Sequence, residues 1–300
     1  VTLAAPNLAS AYFTDMDVQE GCLALTPRGT IQDRFYGRIN VGANGLLVPG
    51  ADASTITQNW MLNLTGSGVV SNGVGDATRC RILPGSGDGF PVEFSGRILD
   101  KVHWYSHGNE WLTGTDSTFS GGFRIQSNGG GTVQGITGVK KFGMKADESS
   151  SMGRSPAILM VEFGGRVLYL GDGETTDKDV QVASSSGDAA GNPGVIDAGA
   201  TGGVTFTGRI YPVGAGCVER LVLTGSNVNE CVMAGAISPY TESGKTHNFY
   251  VTKKGSGTWR LTDSTARGAI LGLGVEEGTL AFPRRPLPTA LPTREATQIR

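Results

Sequence analysis

The sequence predicts an all-β protein, built as antiparallel β-sandwich or barrel lobes with long glycine-rich loops and very little helix. Three observations carry that expectation. Glycine supplies 47 of 300 residues, more than twice its usual share of about 7%. Apolar residues come as short β-branched runs between the glycines, as in "TRCRILPG", "AILMVEFGG", "RVLYLGDG", "GVTFTGRIYPVG", "VERLVLTG" and "GTWRLTD". Glycine also interrupts almost every window long enough for three helical turns, at about 1 kcal/mol for each interior position. The glycines follow no three-residue period, which excludes collagen. A hydrophobic content of 38% argues against disorder.

The first element is the one short helix the pattern allows, "LASAYF" over 8–13, with Asn7 as its cap. Strands of four to eight residues follow, separated by clusters such as Gly85-Ser-Gly-Asp-Gly89 and Asn128-Gly-Gly-Gly131, which read as hairpin turns. The polar stretch "KADESSSMGRSP", 145–156, has loop composition. It divides the chain into an N-terminal lobe, 1–145, and a C-terminal lobe, 157–282. "QVASSSGDAAGNPGVIDAGATGG", 181–203, reads as an extended surface loop. From 283 to 300 the composition changes to proline and arginine without glycine, which favours an extended arm. Arg284, Arg285, Arg294 and Arg300 are its candidate contacts with a neighbouring subunit.

A recurrence runs through the chain: Phe35-x-Gly37-Arg38-Ile39, Phe94-x-Gly96-Arg97-Ile98, Phe163-x-Gly165-Arg166-Val167 and Phe206-x-Gly208-Arg209-Ile210. Strand alternation places phenylalanine, glycine and the β-branched residue on one face and arginine on the other. The unequal spacing of the copies speaks against a solenoid of fixed period.

Candidate chemistry is sparse. "DKVHWYSHGNEWLTG", 100–114, concentrates His103, Trp104, Tyr105, His107 and Trp111, whose rings could form a glycan-stacking surface. As a strand, His103, Tyr105 and His107 share one face, and Val102, Trp104 and Ser106 the other. The two histidines lack a nearby third ligand other than Glu110, so no metal is expected. "GDGETTDKD", 171–179, gathers carboxylates but has Asp177 where a calcium loop needs glycine, so it reads as an acidic loop. Gly244-Lys245-Thr246 ends like a phosphate loop without its start or its following helix. No dinucleotide fingerprint and no nucleophile elbow is complete, so the expectation is no catalytic residue, no cofactor and no enzyme. Net charge −2 without a basic stripe excludes a nucleic-acid partner, and no apolar run is long enough for membrane insertion. The four cysteines form no paired motif and read as free thiols.

Taken together, glycine-rich β structure, scarce helix, low charge, no catalytic signature and a proline-rich end resemble bacteriophage virion structural proteins of the tail-fibre, spike or head-decoration type. That resemblance implies a homo-oligomer, commonly a trimer, located in the virion and partnered by other virion proteins, with cell-surface carbohydrate as an outside contact. Two alternatives stand beside it: a polysaccharide-degrading spike or β-sandwich glycosidase, and a secreted carbohydrate-binding or adhesin module.

Overall fold

The computed structural model describes residues 2–4, 15–26, 32–50, 58–72, 80–82, 92–106, 109–126, 136–146, 149–161, 165–183, 193–200, 203–213, 218–237, 241–242, 245–246, 248–262 and 270–282. Every regular element among them is β-strand, and almost every pairing is parallel. The chain winds as a parallel β-solenoid with three ladders of stacked strands. One circuit shows the plan. Asp179–Ala183 lies in the first ladder, Gly194–Asp197 in the second and Val204–Phe206 in the third; Ile210–Val213, Val218–Thr224 and Cys231–Met233 then stack on them in the same order.

This corrects the expectation of antiparallel sandwich or barrel lobes. A strand that turns a corner and returns after a full circuit meets its predecessor running the same way; the clusters Gly85-Ser-Gly-Asp-Gly89 and Asn128-Gly-Gly-Gly131 lie outside the described residues. Antiparallel contacts among the described residues are a small hairpin, Thr241–Glu242 against Lys245–Thr246, and a bridge between Ser117 and Ser150. The hairpin also accounts for the Gly244-Lys245-Thr246 triplet, whose last two residues are strand.

Coil length varies. In the second ladder Gly66, Phe94, Leu112, Val139 and Tyr169 stack in register, separated by 28, 18, 27 and 30 residues. Such unequal coils explain why no fixed period is visible. The ladders run on across 145–156, because Phe123–Gln126 pairs with Ala157–Val161 and Ile136–Val139 with Arg166–Tyr169. Within 181–203, read as loop, lie the end of one strand and the whole of Gly194–Asp197. The short helix expected at 8–13 and the arm at 283–300 lie outside the described residues.

Alternation divides each ladder into an inward and an outward side. On the inward side of the first ladder Trp104, Phe123, Ile158, Val180 and Ile210 stack in register, and all are buried. Thr176, Phe206, Met233 and Leu261 do the same in the third. Phe142 joins this core with its ring centroid 5.3 Å from those of both Tyr169 and Phe206. These columns merge into one continuous hydrophobic interior.

Corners explain the glycine. A Cβ on Gly68 would fall 2.3 Å from the Gly42 carbonyl oxygen, one on Gly96 2.1 Å from that of Gly68, and one on Gly114 2.2 Å from that of Gly96. Successive backbones thus approach too closely at this corner for any side chain. The F-x-G-R copies at Phe94 and Phe206 belong to such corners, while the copy at Phe35 lies within the strand Gln32–Pro49. Phe94 and Ile98 are buried, Arg97 is exposed, and Gly96 lies between the second and third ladders. Phe206, Gly208, Arg209 and Ile210 repeat the pattern between the third ladder and the first. In the third copy Gly165 immediately precedes the second-ladder strand Arg166–Tyr169. Copies that mark different corners cannot be evenly spaced.

Candidate functional site

The stretch 100–114 supplies strands to two ladders, Val102–Ser106 to the first and Glu110–Leu112 to the second. It therefore disperses the predicted site residues. Trp104 points inward, is 1% exposed, and donates its indole N–H to Glu110 Oε1 at 2.6 Å. Neither face of that ring meets solvent. His103 and Tyr105 stand on the outward side of the first ladder with ring centroids 6.3 Å apart, and the Arg124 guanidinium lies 4.3 Å from the centre of the Tyr105 ring. Trp111 stands on the outward side of the second ladder. His107, Arg284, Arg285, Arg294 and Arg300 lie outside the described residues.

Glu110 itself points into the core, next to Thr137 in the ladder, and is 1% exposed. Besides the Trp104 indole it has the Thr137 hydroxyl nearby, 3.5 Å from Glu110 Oε1 and 2.5 Å from Ser106 Oγ. Burial pushes the Glu110 carboxyl up to about 8, against the opposing hydrogen bonds from Trp104, Ser106 and Thr137. Sealed from solvent, this group is out of reach of a ligand.

The outward side of the second ladder carries the site. Trp111, Gly138, Leu168, Asp197 and Thr224 follow one another in register across successive coils. The Trp111 indole lies against the bare Gly138 backbone: a Cβ there would come within 2.6 Å of Trp111 Cε3 and 2.8 Å of Leu170 Cδ1. Further along, Tyr250 uses the same device on Gly272, where a Cβ would meet its Cδ1 at 2.7 Å, while Arg220 rests 4.8 Å from the centre of the Tyr250 ring. Aromatic rings seated on glycine are held in place from below by packing.

Beyond Trp111 the column runs into a groove of about 600 Å³. Leu168 and Leu170 form its apolar end, Arg166 and Asp197 its middle, Thr224, Ser226 and Ser256 its hydroxyl-bearing stretch, and Glu277 its far end. Arg166 and Asp197, from neighbouring coils, form an ion pair through Nη2 and Oδ2, and Asp197 Oδ1 accepts the Gly199 N–H at 2.9 Å. The groove crosses the strands. Each coil-to-coil step is about 4.8 Å, so the column from Trp111 to Thr224 extends about 19 Å.

The acidic stretch 171–179 does structural work at another corner. Glu174 accepts the Phe142 and Gly143 N–H groups at 2.7 and 3.0 Å, Asp177 accepts the Lys145 N–H at 2.5 Å, and Asp179 accepts Lys145 Nζ at 2.8 Å. Among the described residues no cluster of three or more histidine, cysteine, aspartate or glutamate side chains is arranged to hold a metal. Among the described residues Cys22 and Cys231 form no disulfide.

Sequence reasoning named Trp111 as a candidate and did not name Arg166, Asp197 or the hydroxyl row. A signal for Arg166 was present, because it is the arginine of the third F-x-G-R copy, assigned there to the outward side. Asp197 was hidden inside a stretch whose composition reads as loop.

No protein-family model matches the chain, and no solved structure matches it. Among curated proteins it is similar to the adhesin BmaC autotransporter of Brucella suis biovar 1 (strain 1330), with 30% identity over 261 residues. The match takes in 84% of this chain and only 7% of the relative's length.

Proposed function

We propose that this solenoid is an adhesive module of a secreted or cell-surface protein, which binds surface molecules through the outward side of its second ladder and performs no catalysis there. Similarity to an autotransporter adhesin over most of the chain is the observation that carries this reading. It favours the secreted adhesin alternative over a virion component. The architecture suits the role: a rigid stack presents a long, regular face whose outward side chains are free to vary while the inward ones hold the fold. An open groove lined by an ion pair and hydroxyls, with the Asp197 carboxylate engaged by Arg166 and the Gly199 N–H, supports retention of a ligand over its cleavage.

The test is binding of the purified, fluorescently labelled chain to fixed epithelial cells. Saturable binding that unlabelled protein competes away is expected. Absence of saturable binding to cells, together with release of reducing ends from polysaccharide, would replace this reading with the glycosidase one.

A further inference from the structure

Resting on the adhesive reading, we infer that the groove on the second ladder takes a neutral, extended oligosaccharide lying along the solenoid axis, with one sugar unit over each coil from Trp111 to Ser256. Several features select this chemistry. The direction of the groove comes first: it crosses the strands, and each strand along it is already paired on both sides. A peptide that binds by adding a strand needs a free backbone edge, and this face has none. A saccharide has no such requirement, and the rise between coils is close to the length of one pyranose in an extended chain.

Charge excludes the polyanions. Arg166 is neutralised by Asp197, Glu277 adds a negative charge at the far end, and no further basic side chain lines the groove. A sulfated or uronic-acid chain would lose its hydration there without gaining a cationic partner.

The order of groups matches a sugar chain. The Trp111 ring and the Leu168 and Leu170 side chains offer apolar surface for the C–H face of a pyranose. Arg166 and Asp197 then present a donor and an acceptor side by side, the arrangement that vicinal hydroxyls satisfy. Thr224, Ser226 and Ser256 continue with hydroxyls that both donate and accept. Trp111 is the anchor and the ion pair the discriminating element.

Isothermal titration of the intact chain with cellohexaose, and with a hyaluronan hexasaccharide as the charged counterpart, tests this. Saturable binding of cellohexaose is expected, with hyaluronan at least tenfold weaker. Trp111→Ala and Asp197→Asn should each weaken cellohexaose at least tenfold, with far-UV circular dichroism unchanged. Tyr211→Phe, on the first ladder, should leave it unaltered. Preference for hyaluronan, or cellohexaose affinity indifferent to Trp111→Ala, overturns the inference. If cell binding is saturable but no hexasaccharide binds, the groove assignment fails while the adhesive reading stands; if cell binding is also absent, both fail.

Discussion

Trp104 and Trp111 come from one stretch of sequence and end on opposite sides of the wall. Trp104 lies in an inward column of the first ladder, with its N–H on Glu110; Trp111 lies in an outward column of the second, between Glu93 and Gly138, with its ring on Gly138. The corner between them changes ladder, and alternation within each strand decides the side. A cluster of aromatic residues in sequence is therefore not a cluster in space. In a coiled architecture the neighbours that matter are one coil away, not a few residues away.

The largest way to break this arrangement lies at the corners. Gly96→Val should destabilise the fold by about 3 kcal/mol or more, because the new Cβ meets the Gly68 carbonyl oxygen at 2.1 Å and backbone cannot step aside. Gly21→Ala is its counterpart: φ is +77° with nothing within 4 Å of the new Cβ, so only the left-handed conformation is penalised, by about 1 kcal/mol. Urea denaturation of both variants measures the difference. Equal losses would mean that coil contact does not dictate glycine.

Next comes the tryptophan pair. Trp104→Ala should lower stability by about 3–5 kcal/mol, the usual result of emptying a buried aromatic site. Trp111→Ala should lower it by about 1 kcal/mol or less while removing ligand binding. Thermal melts alongside cell-binding assays separate the two effects.

Glu110 sharpens the inward half of the comparison through pH. Its carboxyl ordinarily titrates at 4.5 and here at about 8. Below 4.5 it is protonated in both folded and unfolded chains, and its contribution is fully present. As pH rises towards 8 the unfolded chain gives up the proton first, so stability falls by about 1.4 kcal/mol per pH unit and levels off above 8. Glu110→Gln should flatten that slope in denaturant midpoints measured from pH 5 to 9. A slope unchanged in Glu110→Gln would assign the dependence to other groups.

The smallest effect belongs to the exposed ion pair of Arg209 with Asp179. The Arg209 side chain is 64% exposed, and Asp179 keeps Lys145 Nζ at 2.8 Å without it. Arg209→Ala should therefore leave the urea midpoint almost unchanged, with any shift shrinking further in high salt.

Much of the local structure was legible in the sequence. Short β-branched runs bounded by glycine are strands, and the alternation read in the F-x-G-R copies at Phe94 and Phe206 matches the burial of their side chains, whereas in Val102–Ser106 the outward Tyr105 is buried as well. Strand direction was not legible. A glycine cluster looks alike whether the chain reverses or turns a corner, and unequal coils of 18 to 30 residues conceal the repeat that would have distinguished them. Only the stacking explains why Gly68, Gly96 and Gly114 recur, since each is required by the carbonyl of the coil before it. The groove was illegible for the same reason: Arg166, Asp197 and Thr224 are far apart in sequence and become neighbours only through coil register.

Fluorine NMR of the chain labelled with 5-fluorotryptophan, titrated with cellohexaose, tests the separation of core from binding face most directly. The Trp111 resonance, assigned by its loss in Trp111→Phe, should shift saturably while that of Trp104 stays fixed. A ligand-induced shift at Trp104 with Trp111 unmoved would contradict the account.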